Sequence, residues 1–564
     1  MELPSSTNFN CNRLRSSSIE LISVHPISSK EYKNRLFLKK KQRKMEFLQG
    51  IEPREYQIKI LETCKDKNCL VVLPTGIGKT LIALMLAIER MKKFPTEKVL
   101  FLAPTRPLVE QHLNYFKSHL PELFGEMTLF IGKIAASERK KLWQNSDIIF
   151  STPQCIANDL RNNLYDLKQV SLLVEDEAHR CIKNYDYKYI ADVYIKTSQN
   201  ARILGMTASP GSDRLKIKEI CKNLSVEALE VRTRESEDVK DYLQELKFKT
   251  EMVDFPPEFE EIRQLLKIPY ESYIDELKNR HLLFTFASKT NLIQLQKKLM
   301  FSVARGNKNF NTLKGISICS SAIRLQHALE LLETQTLQGF YSYMKELFEQ
   351  SATSKSSGIK ILVKKPHFIL AYNKTIELMA RKVEHPKLNR IKELVSETLS
   401  KNENAKSMIF TQYRNTAAAV AKNLNSIQGI KAKVFIGQAK KKGVGLSQKE
   451  QKQILNEFST GEINVLCATS IGEEGLDIPE VNEVIFYEPV PSEIRKIQRT
   501  GRTARLFPGE LKIMITKKTR DETFHWASFS REKKMHKTIG QIQDEMDEEE
   551  INNTNKQKSI TDFK

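Results

Sequence analysis

The chain has 564 residues, which is too long for a single hydrophobic core, so we expect two to four domains. Hydrophobic residues make up 40% of it, but no apolar stretch approaches the length of a membrane span, which argues against an integral membrane protein. The formal net charge of +21 favours a polyanionic partner, nucleic acid first, although a solvated lysine-rich surface would give the same charge.

Cysteine usage points to a reducing compartment. The eight cysteines are scattered without a C-x-x-C pair, so we expect neither disulfides nor a structural zinc site. The N-terminus lacks the apolar core of a secretory signal. The expected location is therefore the cytoplasm, with association to the nucleoid, or the nucleus if the source is eukaryotic.

Residues 1–45 predict a disordered arm, because they are rich in serine and asparagine and then strongly basic from Lys30 to Lys44. Such an arm could add nonspecific phosphate contacts. An idle tail, or a natural start at Met45, would explain the same residues.

A phosphate-binding loop is predicted between a buried strand at Leu70–Leu73 and a helix that begins after Thr80. Gly76 and Gly78 would let the backbone close around an anion at the helix N-terminus. Lys79 would then reach the β- and γ-phosphates of a nucleotide, and the Thr80 hydroxyl would ligate Mg²⁺. The predicted nucleotide-binding residues of this loop are Pro74, Thr75, Gly76, Ile77, Gly78, Lys79 and Thr80.

The strict form of this motif has glycine where the chain has Leu73, so an ordinary strand–turn–helix joint remains an alternative for the loop alone. Just upstream, the amide of Gln57 can both donate to and accept from an adenine edge, which makes it a candidate base reader.

Two further strands end in polar loops. Val99–Ala103 is followed by Thr105 and Arg106, and Ile148–Phe150 is followed by Thr152 and Pro153. Ligands of open α/β sheets bind at the carboxyl ends of strands, so these loops could hold a nucleic-acid backbone. Two ordinary connections are the alternative.

An acid pair follows the hydrophobic strand Leu172–Val174. Asp176 is placed to hold Mg²⁺, and Glu177 is placed to orient or deprotonate the attacking water. The hydroxyls of Thr207 and Ser209, after the next strand, could sense the acid pair and pass its state to the rest of the molecule. An Asp-Glu-Ala-His strand end downstream of a phosphate loop predicts nucleotide hydrolysis.

Residues 229–385 predict a helical insert, because strand patterns fade and an apolar helical stripe appears between Ile316 and Phe348. We interpret that stripe as core. Its outward cations could form a DNA face or a merely solvated surface; they are Lys289, Lys297, Lys298, Arg305, Lys308 and Lys314.

Strand–helix alternation returns over residues 386–535 without a second phosphate loop. Arg502 and Arg505 lie three residues apart and would share a helix face. They could reach across a cleft to the γ-phosphate of a nucleotide held by the first half. A salt-bridged surface helix is the alternative.

With these residues in hand, the sequence resembles superfamily 2 helicases of the DEAH kind. More narrowly, residues 46–535 resemble the helicase part of archaeal Hef and its Fanconi anaemia group M relatives. The stretches that carry the resemblance are Leu73–Thr80, Val174–Arg180, Phe435–Gln438, Ser447–Gln451, Ala468–Pro479, Glu488–Arg495 and Gln498–Arg502.

The resemblance implies an α/β fold of two RecA-like parallel-sheet domains, residues 46–228 and 386–535, with ATP and Mg²⁺ between them and the helical insert gripping branched DNA. By family analogy Arg54, Gln57 and Asp477 bind the nucleotide, and Gln498 joins Lys79, Asp176, Glu177, Arg502 and Arg505 in hydrolysis. The implied nucleic-acid contacts are Thr105, Arg106, Thr152, Pro153, Thr411, Gln412, Gly437 and Thr469, and the implied coupling residues are His179, Thr207 and Ser209.

The activity implied is an ATP-dependent DNA helicase or translocase acting on forks, junctions and single strands in repair and fork restart. A branched-DNA adapter that recruits a clamp or nuclease, and an RNA helicase or RNA-duplex-stimulated ATPase, stay open. Two departures stand out: Ala504 replaces a usual glycine, and the sequence stops before a nuclease domain. We therefore predict no intrinsic nuclease and a separate structure-specific nuclease as partner.

Residues 536–564 predict a disordered acidic tail. Its last residues resemble a sliding-clamp motif through Gln557, Ile560 and Phe563, although Lys564 replaces the second aromatic. Clamp binding and an idle tail both remain open.

Overall fold

The computed structural model describes residues 47–353, 357–437, 445–472, 478–504 and 507–561, with the backbone alone for residues 471 and 549–561. The chain divides into Met1–Leu48 and Gln49–Lys564, and the fold belongs to the second unit. The predicted N-terminal arm, residues 1–45, lies outside the described residues, which begin at residue 47.

The first half is a seven-stranded, entirely parallel sheet with the order β3-β4-β2-β5-β6-β1-β7. Its strands are β1 Cys69–Val72, β2 Lys98–Leu102, β3 Met127–Phe130, β4 Ile148–Ser151, β5 Val170–Asp176, β6 Ile203–Thr207 and β7 Ala228–Val231. Its helices are α1 Glu55–Asp66, α2 Lys79–Lys93, α3 Arg106–His119, α4 Ala136–Asn145, α5 Pro153–Arg161, α6 Asp186–Thr197 and α7 Arg214–Asn223. The central strands are buried throughout, which explains their continuous apolar runs.

The insert is a bundle with its own apolar core. Its helices are α8 Pro257–Asn279, α9 Lys289–Ala304, α10 Phe310–Thr334, α11 Leu337–Thr353, α12 Ser357–Leu362 and α13 Pro366–Ala380. Of the residues predicted to form the stripe, Leu325, Leu329, Leu332, Leu337 and Phe340 are buried in that core, and Ile323 is partly buried against it.

The second half is a six-stranded parallel sheet with the order β10-β11-β9-β12-β13-β8. Its strands are β8 Leu246–Val253, β9 Ser407–Phe410, β10 Ala432–Phe435, β11 Val465–Ala468, β12 Glu483–Phe486 and β13 Gly509–Thr516. Its helices are α14 Pro386–Lys401, α15 Arg414–Leu424, α16 Gln448–Thr460 and α17 Glu493–Thr500.

The predicted start of the insert at residue 229 is too early. Strand β7 belongs to the first sheet, and β8, from before the helices, pairs with β13 as an edge strand of the second. The helical bundle therefore spans α8 to α13. Strand β8 escaped the sequence analysis because its lysines and other exposed side chains mask the strand signal, as is usual for an edge strand.

The predicted disordered tail is wrong for the described residues, because α18 runs from Arg520 to Thr561. It begins at the end of the second sheet and returns to the first half, where Met535, Ile539 and Ile542 join the apolar core. Their helical spacing gives one apolar stripe, and burial of that stripe orders a segment that is polar by composition. In the part of the chain that is described, no helix has the length and apolarity of a membrane span.

Candidate active site

The phosphate loop connects β1 to α2 and wraps around the Lys79 ammonium. Lys79 Nζ donates to the carbonyl oxygens of Leu73 at 2.9 Å and Pro74 at 3.2 Å. Gly78 has φ +81°, a conformation that favours glycine, and a Cβ there would displace the Gln57 amide, whose Nε2 would lie 2.3 Å away. A cation beside the N–H groups of a helix N-terminus is a phosphate-binding arrangement.

Helix α1 is tied to this loop. Gln57 Oε1 accepts from the Arg54 backbone N–H at 2.8 Å, and Gln57 Nε2 donates to Ile77 O at 3.2 Å. The Tyr56 hydroxyl also donates to Ile77 O, at 2.5 Å. The Arg54 guanidinium lies 4.8 Å from the ring of Tyr242, a residue that the sequence analysis missed. The two predicted base readers therefore stand beside the phosphate loop.

A histidine joins the two predicted Mg²⁺ ligands. His112, on α3, lies with Nε2 2.8 Å from Asp176 Oδ2 and with Nδ1 3.5 Å from Thr80 Oγ1. Sequence reasoning missed His112, because nothing in the pattern of α3 shows that its buried face meets the end of β5.

The charge of Asp176 fits a cation site. Burial favours the neutral carboxyl, but the hydrogen bond and charge of His112 and the charge of Lys79 outweigh it, so the pKa of Asp176 lies below its usual value. An ionised carboxylate and a hydroxyl beside a phosphate loop are the donors that Mg²⁺ prefers. Glu175, by contrast, is fully buried, and burial raises its pKa well above the usual value, so it is not a third catalytic carboxylate.

Glu177 begins a chain of polar contacts. It adopts a left-handed conformation with φ 52°, and its Oε2 lies 3.3 Å from His179 Nδ1. The same nitrogen lies 3.1 Å from Thr207 Oγ1, and the Ser209 backbone N–H donates to that hydroxyl at 3.2 Å. The Ser209 hydroxyl is in turn 2.9 Å from Met535 Sδ on α18. The three predicted coupling residues thus connect Glu177 to the C-terminal helix.

The second half meets the phosphate loop at the end of α17. A Cβ at Gly501 would lie 1.5 Å from Thr75 Oγ1, so the Thr75 side chain packs directly against the Gly501 backbone across the two halves. A second contact joins the Ser212 backbone N–H to Glu493 Oε1 at 2.9 Å. Arg502, the next residue after Gly501, is buried, and its carbonyl accepts from the Val481 N–H at 3.2 Å.

The neighbouring polar residues of α17 are also buried. Gln498 is buried in the same helix, whereas the Arg499 guanidinium lies 5.0 Å from Phe410 and 5.7 Å from Phe486, within the second half. The predicted residues Arg505 and Asp477 lie outside the described residues.

The predicted nucleic-acid residues fall at the carboxyl ends of neighbouring strands. Thr105 and Arg106 follow β2, and Thr152 and Pro153 follow the adjacent β4. In the second half Thr411 and Gln412 follow β9, Gly437 follows β10 and Thr469 follows β11, three adjacent strands. In each half, the predicted nucleic-acid residues therefore lie at the carboxyl ends of adjacent strands of the same sheet.

Not all of these side chains are presented to a ligand. Gln412 is exposed, but Thr411 is fully buried and its hydroxyl donates to Tyr413 O at 3.0 Å, so it shapes the loop in this conformation. Arg106 pairs with Glu110 at 2.7 Å, and Glu110 is also 3.7 Å from Lys452 of the second half.

A phosphate loop with an Asp-Glu pair, facing an arginine-bearing helix from a second parallel sheet, defines the motor of a superfamily 2 helicase. Three family models match in chain order: "Type III restriction enzyme, res subunit" over residues 50–212, "Putative ATP-dependent RNA helicase, helical bundle" over 258–385, and "Helicase conserved C-terminal domain" over 386–507. The crystal structure of the Pyrococcus furiosus Hef helicase domain is 41% identical with a TM-score of 0.65, covering 84% of this chain and 98% of that one. The chain belongs to the superfamily 2 family of ATP-dependent helicases that contains Hef.

Two curated relatives match over most of this chain. "Putative ATP-dependent RNA helicase MJ1505" of Methanocaldococcus jannaschii is 40% identical over 87% of this chain and 61% of its own length. "ATP-dependent DNA helicase fml1" of Schizosaccharomyces pombe is 31% identical over 86% of this chain and 59% of its own length. The chain therefore spans about three fifths of the length of these relatives.

Proposed function

We propose that this helicase uses ATP hydrolysis to move along DNA and to remodel or unwind forks and Holliday junctions in repair and fork restart. The observation that supports it best is the helical bundle between the two motor sheets, in a chain that covers 98% of the Hef helicase domain. The name of fml1 points to DNA, whereas the name of the Methanocaldococcus relative points to RNA.

Hydrolysis would use both halves of the motor. Lys79 and the N–H groups at the start of α2 bind the β- and γ-phosphates, and Glu177 orients the attacking water. Thr80 and Asp176 would hold Mg²⁺, which when bound neutralises developing charge on the phosphates. Arg502 supplies a guanidinium from the second half, an interaction worth roughly 10³–10⁵ in turnover in related motors.

Movement of the second half would carry the bundle with it. The Thr416 hydroxyl on α15 donates to Gln335 Oε1 at the end of α10 at 2.8 Å, and the Arg520 backbone N–H donates to Glu333 Oε2 at 3.1 Å. Lys387 Nζ donates to Thr334 O at 3.4 Å. Because these contacts attach the bundle to the second motor domain, closing that domain on ATP shifts the bundle relative to the first.

Stimulation of ATP hydrolysis tests this function. Forked DNA, a Holliday junction, single-stranded DNA and duplex RNA of matched length are compared at saturating ATP. The proposal expects the forked DNA or the junction to stimulate most, with unwinding in the same reactions. Greater stimulation by duplex RNA would instead support the RNA helicase, and binding without stimulation would support the adapter.

Two partners are proposed in addition, a separate structure-specific nuclease and a sliding clamp. Gln557 and Ile560 fall on the described backbone of α18, without described side chains, and Phe563 lies outside the described residues. Pull-down of a clamp by the full chain and by Phe563→Ala tests the second partner. Equal capture of clamp by both proteins would end that part of the proposal.

A further inference from the structure

One segment of the helical bundle, residues 277–329, is unusual in its charge. Between Glu276 and Glu330 the chain has no carboxylate side chain, although its average composition would give about six in those 53 residues. The same segment contains nine basic side chains: Lys278, Arg280, Lys289, Lys297, Lys298, Arg305, Lys308, Lys314 and Arg324. Lys297, Lys298, Arg305 and Lys308 are exposed. The segment is therefore a surface that attracts a polyanion.

The same segment exposes phenylalanines. Phe284 is 82% exposed and Phe286 is 86% exposed, on the loop between α8 and α9. Phe301, near the end of α9, and Phe310, at the start of α10, are also exposed. Single exposed apolar side chains are common on protein surfaces, but four phenylalanines in a carboxylate-free segment need an explanation.

The loop that carries Phe284 and Phe286 is held firmly. Leu283, beside Phe284, is buried in the bundle core. Asn291 Nδ2 donates to Phe286 O at 2.9 Å, and the Tyr270 hydroxyl donates to Ala287 O at 3.0 Å. The two rings are therefore presented to solvent by an anchored backbone, so binding through them costs little ordering entropy.

The start of this loop also contacts the tip of the α9–α10 hairpin. The Arg280 guanidinium lies 5.9 Å from the ring of Phe310, and its Nη1 donates to Asn311 Oδ1 at 3.2 Å. At the same tip the Arg305 guanidinium lies 4.3 Å from the Phe301 ring. At this tip each of the two exposed rings, Phe310 and Phe301, therefore has a guanidinium group beside it.

We propose that this segment of the bundle carries a stacking platform for unpaired DNA bases at a branch point, with Phe284 and Phe286 as its principal contacts. The inference rests on the proposed action on branched DNA and assigns the contact that distinguishes a fork from plain duplex. Aromatic rings stack on any base, and neighbouring cations hold the phosphates, which is how proteins bind single strands without reading sequence. In a duplex the bases are already stacked, so the rings gain nothing there. A second copy of the chain is a poor occupant, because its matching surface has the same charge.

The test separates stacking from simple apolar contact. Fork and duplex affinities are measured for the wild type and for three double variants at Phe284 and Phe286, to Ala, to Leu and to Trp. Leu123→Ala is the matched control, because Leu123 is 99% exposed and lies in the first half. Melting temperature checks that each variant folds, and 2-aminopurine at the branch reports base stacking by fluorescence.

The proposal expects the Ala and Leu variants to lose roughly tenfold or more in fork affinity with little change on duplex, and the Trp variant to retain both affinity and 2-aminopurine quenching. Lys297→Gln with Lys298→Gln should instead lower the salt dependence of binding to fork and duplex alike.

Several results would overturn it. Retention of affinity by the Leu variant would assign the surface to apolar docking, and a wild-type dimer that dissociates in the Ala variant would assign it to self-association. A loss confined to an RNA fork would also contradict it. If the wild type itself binds fork no better than duplex, the proposed function fails. If the wild type prefers fork but the Ala and Leu variants bind fork as tightly as the wild type does, only the stacking inference fails.

Discussion

Thr75 in the phosphate loop and Gly501 at the end of α17 approach so closely that a Cβ on Gly501 would lie 1.5 Å from the threonine hydroxyl oxygen. Gly501 has an ordinary negative φ of −67°, so the requirement for glycine here is one of space and not of conformation. The two halves of the motor therefore meet at the predicted phosphate-binding loop, one residue from Arg502.

Gly501→Ala should slow ATP hydrolysis, because the added methyl group pushes α17, and Arg502 with it, away from the loop. A displacement of about 1 Å at a reacting centre can cost roughly 10²-fold in rate, and we expect a loss of at least tenfold. Binding of a fluorescent ATP analogue should change little, because the first half supplies the phosphate contacts. Gly540→Ala is the control, since nothing lies within 4 Å of a Cβ at that position. Wild-type turnover by Gly501→Ala would show that this contact is absent from the catalytic cycle.

His112→Ala should weaken the response to Mg²⁺, because the imidazole orients both Asp176 and Thr80. Loss of a residue that positions metal ligands typically costs 10–100-fold in metal affinity, and we expect about tenfold. The measurement is the Mg²⁺ concentration needed for half-maximal binding of a fluorescent ATP analogue. His119→Ala, on the same helix but bonded to Tyr115 O, is the control. Identical Mg²⁺ curves for His112→Ala and wild type would remove His112 from the site.

Lys387→Ala should destabilise the second half strongly. Lys387 Nζ and Asp521 Oδ2 lie 2.5 Å apart with both side chains 0% exposed, and they join the starts of α14 and α18. Removing one member of such a pair leaves a buried charge and costs about 3–5 kcal/mol. The exposed pair of Lys517 and Asp254, 2.9 Å apart, is the control, and Lys517→Ala should cost no more than about 1 kcal/mol. Melting temperatures that fall equally in both variants would show that the buried pair of Lys387 and Asp521 contributes no more to stability than the exposed pair.

The stability of the second half should depend on pH through Glu488. Burial raises the pKa of Glu488 to about 7, against the opposing charges of Arg499 and Lys387. Between its ordinary value and about pH 7 the folded protein keeps a proton that the unfolded chain releases, so stability falls as pH rises through that window.

Glu488→Gln does not titrate, so its stability relative to wild type should rise from pH 5 to pH 8 by no more than about 3 kcal/mol. The measurement is the difference in melting temperature between the two proteins across that range. The substitution can also change stability equally at every pH, and such a constant difference does not affect this trend. A difference in melting temperature that stays constant from pH 5 to pH 8 would therefore contradict the prediction.

The motor could be predicted from the sequence because its chemistry lies in short contiguous stretches. Gly76 to Thr80 and Asp176 to Glu177 each follow a buried strand, so local pattern places them at a sheet edge. Arg502 was predicted to lie on a helix face, but α17 ends at Thr500, so Arg502 lies in the turn that follows, next to the contact of Gly501 with Thr75.

Long-range contacts were not predictable in the same way. His112 meets Asp176 only because β2 lies beside β5 in the sheet, an order that no local pattern specifies. Strand β8 pairs with β13, more than 250 residues away, across the whole helical bundle. Ile539 and Ile542 fall in the predicted polar tail, and their burial depends on the apolar core of the first half, which is distant in sequence.

The most direct test of the two-sided ATP site is single-turnover hydrolysis by Arg502→Ala on saturating forked DNA, beside equilibrium binding of ATP. The account predicts that hydrolysis falls by roughly 10³-fold or more while ATP affinity stays within a few-fold of wild type. Hydrolysis within tenfold of wild type, with ATP and DNA both bound, would contradict it.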